Sequence, residues 1–432
     1  MAAEESRAII AAAPYWGATP LVPAAPPREL PGSVDALIVG AGYTGLAAAR
    51  ELAAAGRAVL VIDAGDPGGG CSGRNGGQVA YSFKPSLAEL TARHGAEVAA
   101  GICRDGQQAV LHLRSLALEA GLDMDWRGQG AFVGAHNRRA WASMVRDAET
   151  QPWGFDQHPQ LVPRARQHEE IATDFYHGGC VFPDDASVDP ARLLVALHAR
   201  AVTAGATIVG HCAASGIQRS AAGFEVRTAR GTVQARQVLL ATNGYSGALS
   251  PWHRRRVIPI GSYQIATEPL GQARVRELLP HGRNVGDSRR VVVYYRPSPD
   301  GERIIFGGRA ALAERDPLVC VPRLRQMMLQ IFPQLHAARI THAWSGWVAY
   351  TFDTLPHLGV HDGIHYSMGY CGQGVPHAPY FGMRIAQQML GLPEGRTALD
   401  GLPFPSRPYY HGRPWFLGAS VLAYRLLDSV GL

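Results

Sequence analysis

Short apolar runs broken by glycine and proline alternate along the chain with stretches whose apolar residues recur every third or fourth position. The first kind predicts strands and the second helices. Ala36-Leu37-Ile38-Val39 contains no polar position, as expected of a parallel strand buried on both faces. Leu46 to Ala55, rich in Ala and Leu and free of proline, predicts a helix that can lie close on a sheet. Gly56 ends it, and Ala58 to Ile62 is a second strand. Leu87, Leu90, Val98, Val110, Leu113 and Leu116 place helices over 86–120. A short strand over 128–134 and a helix over 141–150 follow, and Pro152, Pro159 and Pro163 mark a connection. Asp189-Pro190 caps and opens the next helix, 193–204. Strands at 206–209, 223–227 and 233–240 then form a small antiparallel meander. From 251 to 344 come strands at 257–260, 263–267, 291–296 and 303–309, with Asp300-Gly301 as a hairpin turn, and a helix over 324–332. A strand over 364–368 leads through a glycine turn into a helix ending at Leu390. The stretch from Pro403 to Leu432 ends in a helix whose Leu422, Tyr424, Leu426 and Leu427 read as packing.

Two glycine-rich passages carry the chemistry. Gly40, Gly42 and Gly45 form G-x-G-x-x-G between the first strand and the first helix, with Tyr43 and Thr44 inside the turn. Gly40 permits the tight turn, Gly42 the approach of a pyrophosphate, and Gly45 the contact of helix with strand. The helix start presents free amides and a partial positive charge to phosphates. Asp63, next to Ala64, ends the second strand 18 residues after Gly45, where a carboxylate accepts ribose hydroxyls. Strand, turn, helix, strand and acid in register predict a bound dinucleotide. A second glycine loop then reads Gly70-Cys71-Ser72-Gly73-Arg74-Asn75-Gly76-Gly77-Gln78. A nicotinamide dinucleotide has no need of it. FAD does, because it extends further, and Arg74 and Asn75 are placed as ligands for its oxygens.

On these motifs the chain resembles the glycine/D-amino-acid oxidase superfamily of FAD enzymes, and SGRNGGQ looks like its γ-glutamylputrescine-oxidase-like branch. The resemblance covers most of the chain. It implies an α/β (α+β overall), D-amino-acid-oxidase-like architecture: a Rossmann-like FAD-binding domain from 33–90, 170–250 and 345–395, and a mixed-sheet substrate domain from 91–169 and 251–344. An extended arm, 1–32, anchored by Tyr15-Trp16, and a C-terminal packing segment, 396–432, complete it. It also implies that the backbone near Ala214 lies beside the adenine, and that the turn Ala241-Thr242-Asn243-Gly244 lies near the phosphates and ribose. Trp347 and the turn Gly372-Gln373-Gly374-Val375 would lie at the flavin ring, where the following helix presents its positive end to the pyrimidine carbonyl. By alignment Val348 stands where sarcosine oxidases have a flavin-bonding cysteine, so FAD is expected to be non-covalent, with Cys71 an alternative tether. Relatives often have Ser and His where this chain has Cys371 and Gln373. The sarcosine-oxidase relatives use a lysine near flavin N5 to reduce oxygen. The only lysine here, Lys84, lies at a different point of the chain, which puts direct use of O₂ in doubt.

Composition narrows the classes without choosing among substrates. The 432 residues suffice for two or three domains, and the charge of +6 rests almost wholly on arginine. No basic run tracks nucleic acid, although His253-Arg254-Arg255-Arg256 is locally dense. No apolar run reaches the ~18 residues of a membrane span. The six cysteines are scattered, without a C-x-x-C pair, which suits reduced thiols in the cytoplasm. No metal is expected: His361 and His365 flank the turn Asp362-Gly363 and cannot share a helical face.

The expected reaction is hydride transfer from an amine-bearing carbon to flavin N5. It gives an imine, then an aldehyde or keto acid, with O₂ reduced to H₂O₂ or electrons passed to a carrier or quinone. A nicotinamide-dependent reductase would need a second G-x-G-x-x-G after a strand, which the chain lacks. A purely structural FAD is the remaining reading. Candidate catalytic residues are Arg309, to hold a carboxylate, Tyr350, as a pocket wall with Tyr263, Tyr294 and Trp347, and His377, as a proton acceptor. The expected partners are a small-molecule amine or amino acid and an electron acceptor.

Overall fold

The computed structural model describes residues 10–16, 29–119, 121–150, 158–309, 311 and 315–430. Of the arm expected over 1–32, residues 1–9 and 17–28 lie outside the described residues, as does Pro152. The strands are β1 (Ser33–Val39), β2 (Val59–Ile62), β3 (Gln78–Val79), β4 (Ala131–Gly134), β5 (Gln160–Pro163), β6 (Gly178–Phe182), β7 (Ala186–Ser187), β8 (Thr207–Val209) and β9 (Ala214–Ser220). They continue as β10 (Gly223–Thr228), β11 (Gly231–Leu240), β12 (Ile258–Thr267), β13 (Asn284–Asp287), β14 (Val293–Pro297), β15 (Ile304–Gly308), β16 (Ile340–Tyr350), β17 (His357–His361) and β18 (Ile364–Met368). The main helices are α1 (Tyr43–Ala54), α2 (Leu87–His94), α3 (Ala96–Ala117), α4 (Arg138–Thr150), α5 (Pro190–Thr203), α6 (Pro317–Ile331), α7 (Gly374–Met389) and α8 (Leu417–Val430).

Two sheets organise the molecule. The first runs β17-β18-β11-β1-β2-β8, with the meander β9-β10 hung on β11. Its centre is parallel: β1 pairs with β2 and β11, β2 with β8, and β11 with β18. Both faces are covered, which is why β1 and β2 read as unbroken apolar runs. Ala48, Ala49 and Leu52 of α1 pack with Ile38 and Val61 in one buried cluster. The second sheet runs β16-β12-β15-β14-β13-β4-β6-β5 and is antiparallel except between β13 and β4. Asp316 caps α6 through the Leu318 amide (2.8 Å), and Leu324, Met328 and Ile331 of that helix close the core behind β12 and β16.

Pairing does not follow the expected chain ranges everywhere. Gly178–Phe182, expected with the first unit, pairs with β4 in the second sheet. Helix α3, expected with the second, buries Ile102, Val110 and Leu113 against the first core. Hydrophobic periodicity locates a strand or helix but carries no information about its partner.

Tyr15-Trp16 anchors the described part of the arm as expected: Trp16 packs edge-on against Trp344, and the Tyr15 hydroxyl donates to Asp300 (2.6 Å). The C-terminal helix departs from expectation. Leu422 and Leu426 are 54% and 64% exposed, and among the described side chains of the helix only Val421 is buried. The helix is held at its far end by Asp428, whose carboxylate accepts the Arg290 and Val291 amides (3.0 and 3.2 Å). The basic cluster is likewise not simply solvated: His253 is buried and Arg256 stacks on Trp252.

Candidate active site

A cavity of about 670 Å³ lies between the two sheets. It is lined by the start of α1 (Gly42, Tyr43, Thr44), the second glycine loop, the 79–90 segment, inward faces of β12 to β16, and the turn that opens α7 (Gly372 to Val375). Two helix starts therefore open on one cavity. Both lack a side-chain cap from their N-cap residues, Gly42 and Gln373. The Tyr43 amide instead donates to Ser72 Oγ (3.0 Å).

The turn before α1 is close-packed backbone. Gly40 has φ +109°, and a Cβ there would meet Ala241 O; a Cβ on Gly45 would run into Gly40 O. The Asp63 carboxylate accepts the amides of Ala41 (2.8 Å) and Gly65 (3.0 Å), so it clamps the turn from inside. Burial raises its pKa against these two hydrogen bonds. The Cys212 amide donates to Asp63 O, bringing the strand that starts at Ala214 to the same end.

The second glycine loop is stapled rather than free. Asn75 Nδ2 donates to Ser72 O (2.8 Å), Cys71 O and the Tyr43 hydroxyl, and Asn75 Oδ1 accepts the Gly77 amide (2.8 Å). With its amide thus engaged, Asn75 shapes the loop. Arg74 Nε donates to Gly69 O, and the Arg74 carbonyl accepts from Gln264 (2.7 Å) and Trp344 (3.1 Å). Tyr43 is similarly engaged, donating to Pro190 O (3.0 Å). Thr44 Oγ1 lies 2.6 Å from the Tyr370 hydroxyl, which ties the start of α1 to the turn before α7.

Of the expected cofactor residues, Gly42, Tyr43, Thr44, Cys71, Ser72, Arg74, Asn75, Gly76, Gln78, Ala241, Gly372, Gln373, Gly374 and Val375 line the large cavity. Trp347 faces a separate hollow with Tyr245 and Tyr263. Gly70 and Gly244 sit behind the wall: their Cβ positions are occupied by the Tyr245 ring and the Trp347 carbonyl. Gly40, Gly45, Asp63, Ala64, Gly77, Ala214 and Thr242 are outside the lining.

Among the catalytic candidates, Arg309 and Tyr350 reach the cavity, with Tyr294. Burial raises the Tyr350 pKa, and Arg309 is close enough to oppose that. His377 does not reach it. The residue is 0% exposed on α7, stacked on Phe83 at 4.5 Å, and among the described residues neither ring nitrogen has a hydrogen-bond partner. Burial lowers its pKa to about 3. One residue of helical phase separates it from Pro376 and Ala378, which line the cavity. The native imidazole stays neutral down to about pH 3, whereas an unfolded histidine takes up a proton near 6.5. Stability should therefore fall as pH drops below about 6.5, by about 2 kcal/mol from His377 between pH 7 and 5. His377→Phe should keep activity within about twofold and remove that share of the acid loss, read by denaturant unfolding at the two pH values.

Three long-range links around the cavity are not visible in the sequence. Arg296 is 3% exposed yet donates to Val188 O (2.9 Å), Gly76 O and Gly77 O, so a strand of the second sheet grips the second glycine loop. Asn243 accepts the Gly369 amide (2.9 Å) and joins the two turns. Lys84, expected at the wrong point of the chain, is brought to the cavity wall beside Cys371. Loop closure over hundreds of residues leaves no local signal for any of these.

The family model "DAO: FAD dependent oxidoreductase" matches residues 35–388. The chain is 34% identical over 385 residues to "Probable oxidoreductase OrdL" of Rhizobium meliloti (strain 1021), covering 88% of this chain and 89% of the relative. It is 30% identical over 407 residues to the gamma-glutamylputrescine oxidoreductase of Escherichia coli (strain K12), covering 92% and 93%. Among solved structures, glycine oxidase from Geobacillus kaustophilus superposes with a TM-score of 0.73 at 21% identity, over 88% of this chain and all of that one. L-proline dehydrogenase from P. horikoshii gives 0.70 at 19% identity, over 90% and 99%.

Proposed function

The chain belongs to the DAO family of FAD-dependent oxidoreductases, and from that premise we propose that it holds FAD non-covalently and oxidises an amine or amino acid to an imine, with O₂ as electron acceptor. The observation that carries this is the single cavity onto which both helix starts open. The close-packed turn at Gly40 to Gly45, the stapled loop at 70–78 and the uncapped start of α7 fit a long, anionic, partly flat group. Gly42 to Thr44, with Ser72, would hold the phosphates, and Gly372 to Val375 the ring. When bound, FAD supplies the acceptor for the hydride.

The chain's own part is binding, orientation and exclusion of water. Arg309, at the end of β15, would hold an anionic group of the substrate. Tyr294 and Tyr350 line the cavity and would wall a bound ring; burial raises both phenol pKa values, so they stay protonated and offer hydroxyl donors. The positive start of α7 favours electron density at the ring edge it faces. Val348 on the cavity wall has no group to tether a flavin. Burial pushes the Cys71 thiol up to about 11, which disfavours the thiolate a tether would need. Acid precipitation should accordingly leave all yellow colour in the supernatant; colour in the pellet would mean a covalent link.

Six free cysteines support placement in a reducing compartment, the cytoplasm, and among the described residues no helix is long and apolar enough to cross a membrane. The deciding experiment is anaerobic titration of the purified holoenzyme with γ-glutamyl-amines, N-methyl amino acids, D-amino acids and polyamines, followed by admission of air. Bleaching of the flavin band and its return with stoichiometric peroxide is expected. Bleaching without fast return in air would make the protein a dehydrogenase, and no bleaching across the panel would remove the enzymatic reading.

A further inference from the structure

Helix α8 turns an apolar side outward. Ala419, Leu422, Ala423 and Leu426 are all exposed, and their spacing of i, i+3, i+4 and i+7 makes one continuous stripe. Trp415, 71% exposed, stands just ahead of the helix start. Its ring meets that of Tyr409, also exposed, edge to face at 6.2 Å. No residue of the stripe is polar.

This orientation is fixed from both ends. Tyr410, one residue after Tyr409, is buried and donates its hydroxyl to Val257 O (2.8 Å). At the far end the Asp428 carboxylate accepts the Arg290 and Val291 amides, and between the two ties Val421 is the buried contact. The helix cannot roll its leucines inward without breaking these ties.

The charge around the stripe has one sign. Residues 403–430 contain Arg407, Arg413 and Arg425 and a single acid, Asp428, which is turned inward to the two amides. Arg407 and Arg413 are exposed. So is Arg255, next to the Arg254 side chain that packs on Gly412. An apolar stripe held in water is unfavourable until something covers it. A second copy of the chain would bring the same arginines face to face, with no outward acid in the segment to answer them. An anionic lipid surface answers both features: the leucines enter the acyl boundary, the Tyr409–Trp415 pair sits at the headgroups, and the arginines meet phosphates. The 14 residues of α8 fall short of the roughly 20 that cross a bilayer, so the helix would lie in the interface.

We propose that α8, with Trp415 and Tyr409, docks the protein on an anionic lipid surface. The contact is separate from the oxidation chemistry, since Trp415, Leu422 and Leu426 do not line the large cavity.

The test is flotation of the purified holoenzyme with vesicles of phosphatidylcholine alone or mixed equally with phosphatidylglycerol. The wild type should float with the mixed vesicles, bind the neutral ones at least about tenfold more weakly, and lose binding as salt is raised. Leu422→Glu/Leu426→Glu should weaken binding to the mixed vesicles at least about tenfold, with flavin content and unfolding midpoint unchanged. If that variant is unstable, Leu422→Ser/Leu426→Ser carries the same expectation. Leu422→Phe/Leu426→Phe should float as the wild type does. Arg407→Gln/Arg413→Gln should reduce the difference between the two vesicle types. The inference is overturned if the wild type floats with neither vesicle, if it binds both equally, or if the Glu and Ser variants float undiminished. It is also overturned if sedimentation shows a wild-type dimer that the Glu variant splits and no vesicle binds, which would give the stripe to a second copy.

Discussion

Arg296→Met is expected to yield a protein that is less stable by about 3 kcal/mol or more and that loses FAD on gel filtration. The guanidinium is buried without a carboxylate partner; burial lowers its pKa to about 10, yet the charge is kept by carbonyl oxygens. Its Nη1 donates to Val188 O, Gly76 O and Gly77 O. Methionine fills much of the volume but takes the donor from Val188 O and Gly76 O, while Gly77 O keeps the Val188 amide; each lost bond is worth about 1 kcal/mol, and the loop loses its tie to β14. The second glycine loop would then relax toward the cavity, and FAD affinity should fall at least about tenfold. Arg296→Lys should restore it only in part, since an ammonium can take over the Nη1 contacts but lacks the Nε that donates to Pro297 O. Chemical unfolding and the 450 nm to 280 nm absorbance ratio measure both effects. Full flavin content in Arg296→Met would mean that the loop holds its shape unaided.

Gly382→Val should be more damaging still, giving insoluble or colourless protein. Helices α1 and α7 cross here with nothing between them: a Cβ on Gly382 would overlap Thr44 O. The obstacle is backbone, so no rotamer change relieves it, and the helices must separate. Separation also stretches the 2.6 Å contact between Thr44 and Tyr370 and moves apart the two helix starts that share the cavity. A loss of more than about 3 kcal/mol is expected, with no flavin recovered on reconstitution. Gly382→Ala already drives its Cβ into Thr44 O, so it too should lose flavin, though less than valine. A fully yellow Gly382→Val protein would show that the two starts need not be held at this spacing.

Both positions illustrate where local reading stops. The strand–turn–helix–strand unit from Ala36 to Asp63 was legible because its parts are neighbours in sequence, each with its own signal: an apolar run, spaced glycines, an Ala-rich helix and a terminal acid. The second loop was legible as glycine spacing, but the hydrogen bonds that hold its shape were not. Asn75 reads as a ligand, and the structure adds that its amide is hydrogen-bonded to Ser72, Cys71 and Gly77. His377 looked catalytic for lying beside a glycine turn, but helical phase aims it into the core. The exposed leucines of α8 looked like packing residues because amphipathic spacing does not say whether a facing surface exists.

By itself, then, the order of residues determined what can be encoded within a few turns of chain: the glycine turns, the helices they open, the alternation that makes two sheets, and the anionic, extended ligand such turns accept. Tertiary structure alone decided which distant groups meet. It set Arg296 under the second loop, Gly382 against Thr44 and Lys84 beside Cys371, joining residues separated by 220, 338 and 287 positions. The physical reason is that a turn or helix is fixed by short-range sterics and hydrogen bonds. A buried cation, a helix crossing or a cavity wall is fixed only when the whole core closes around it.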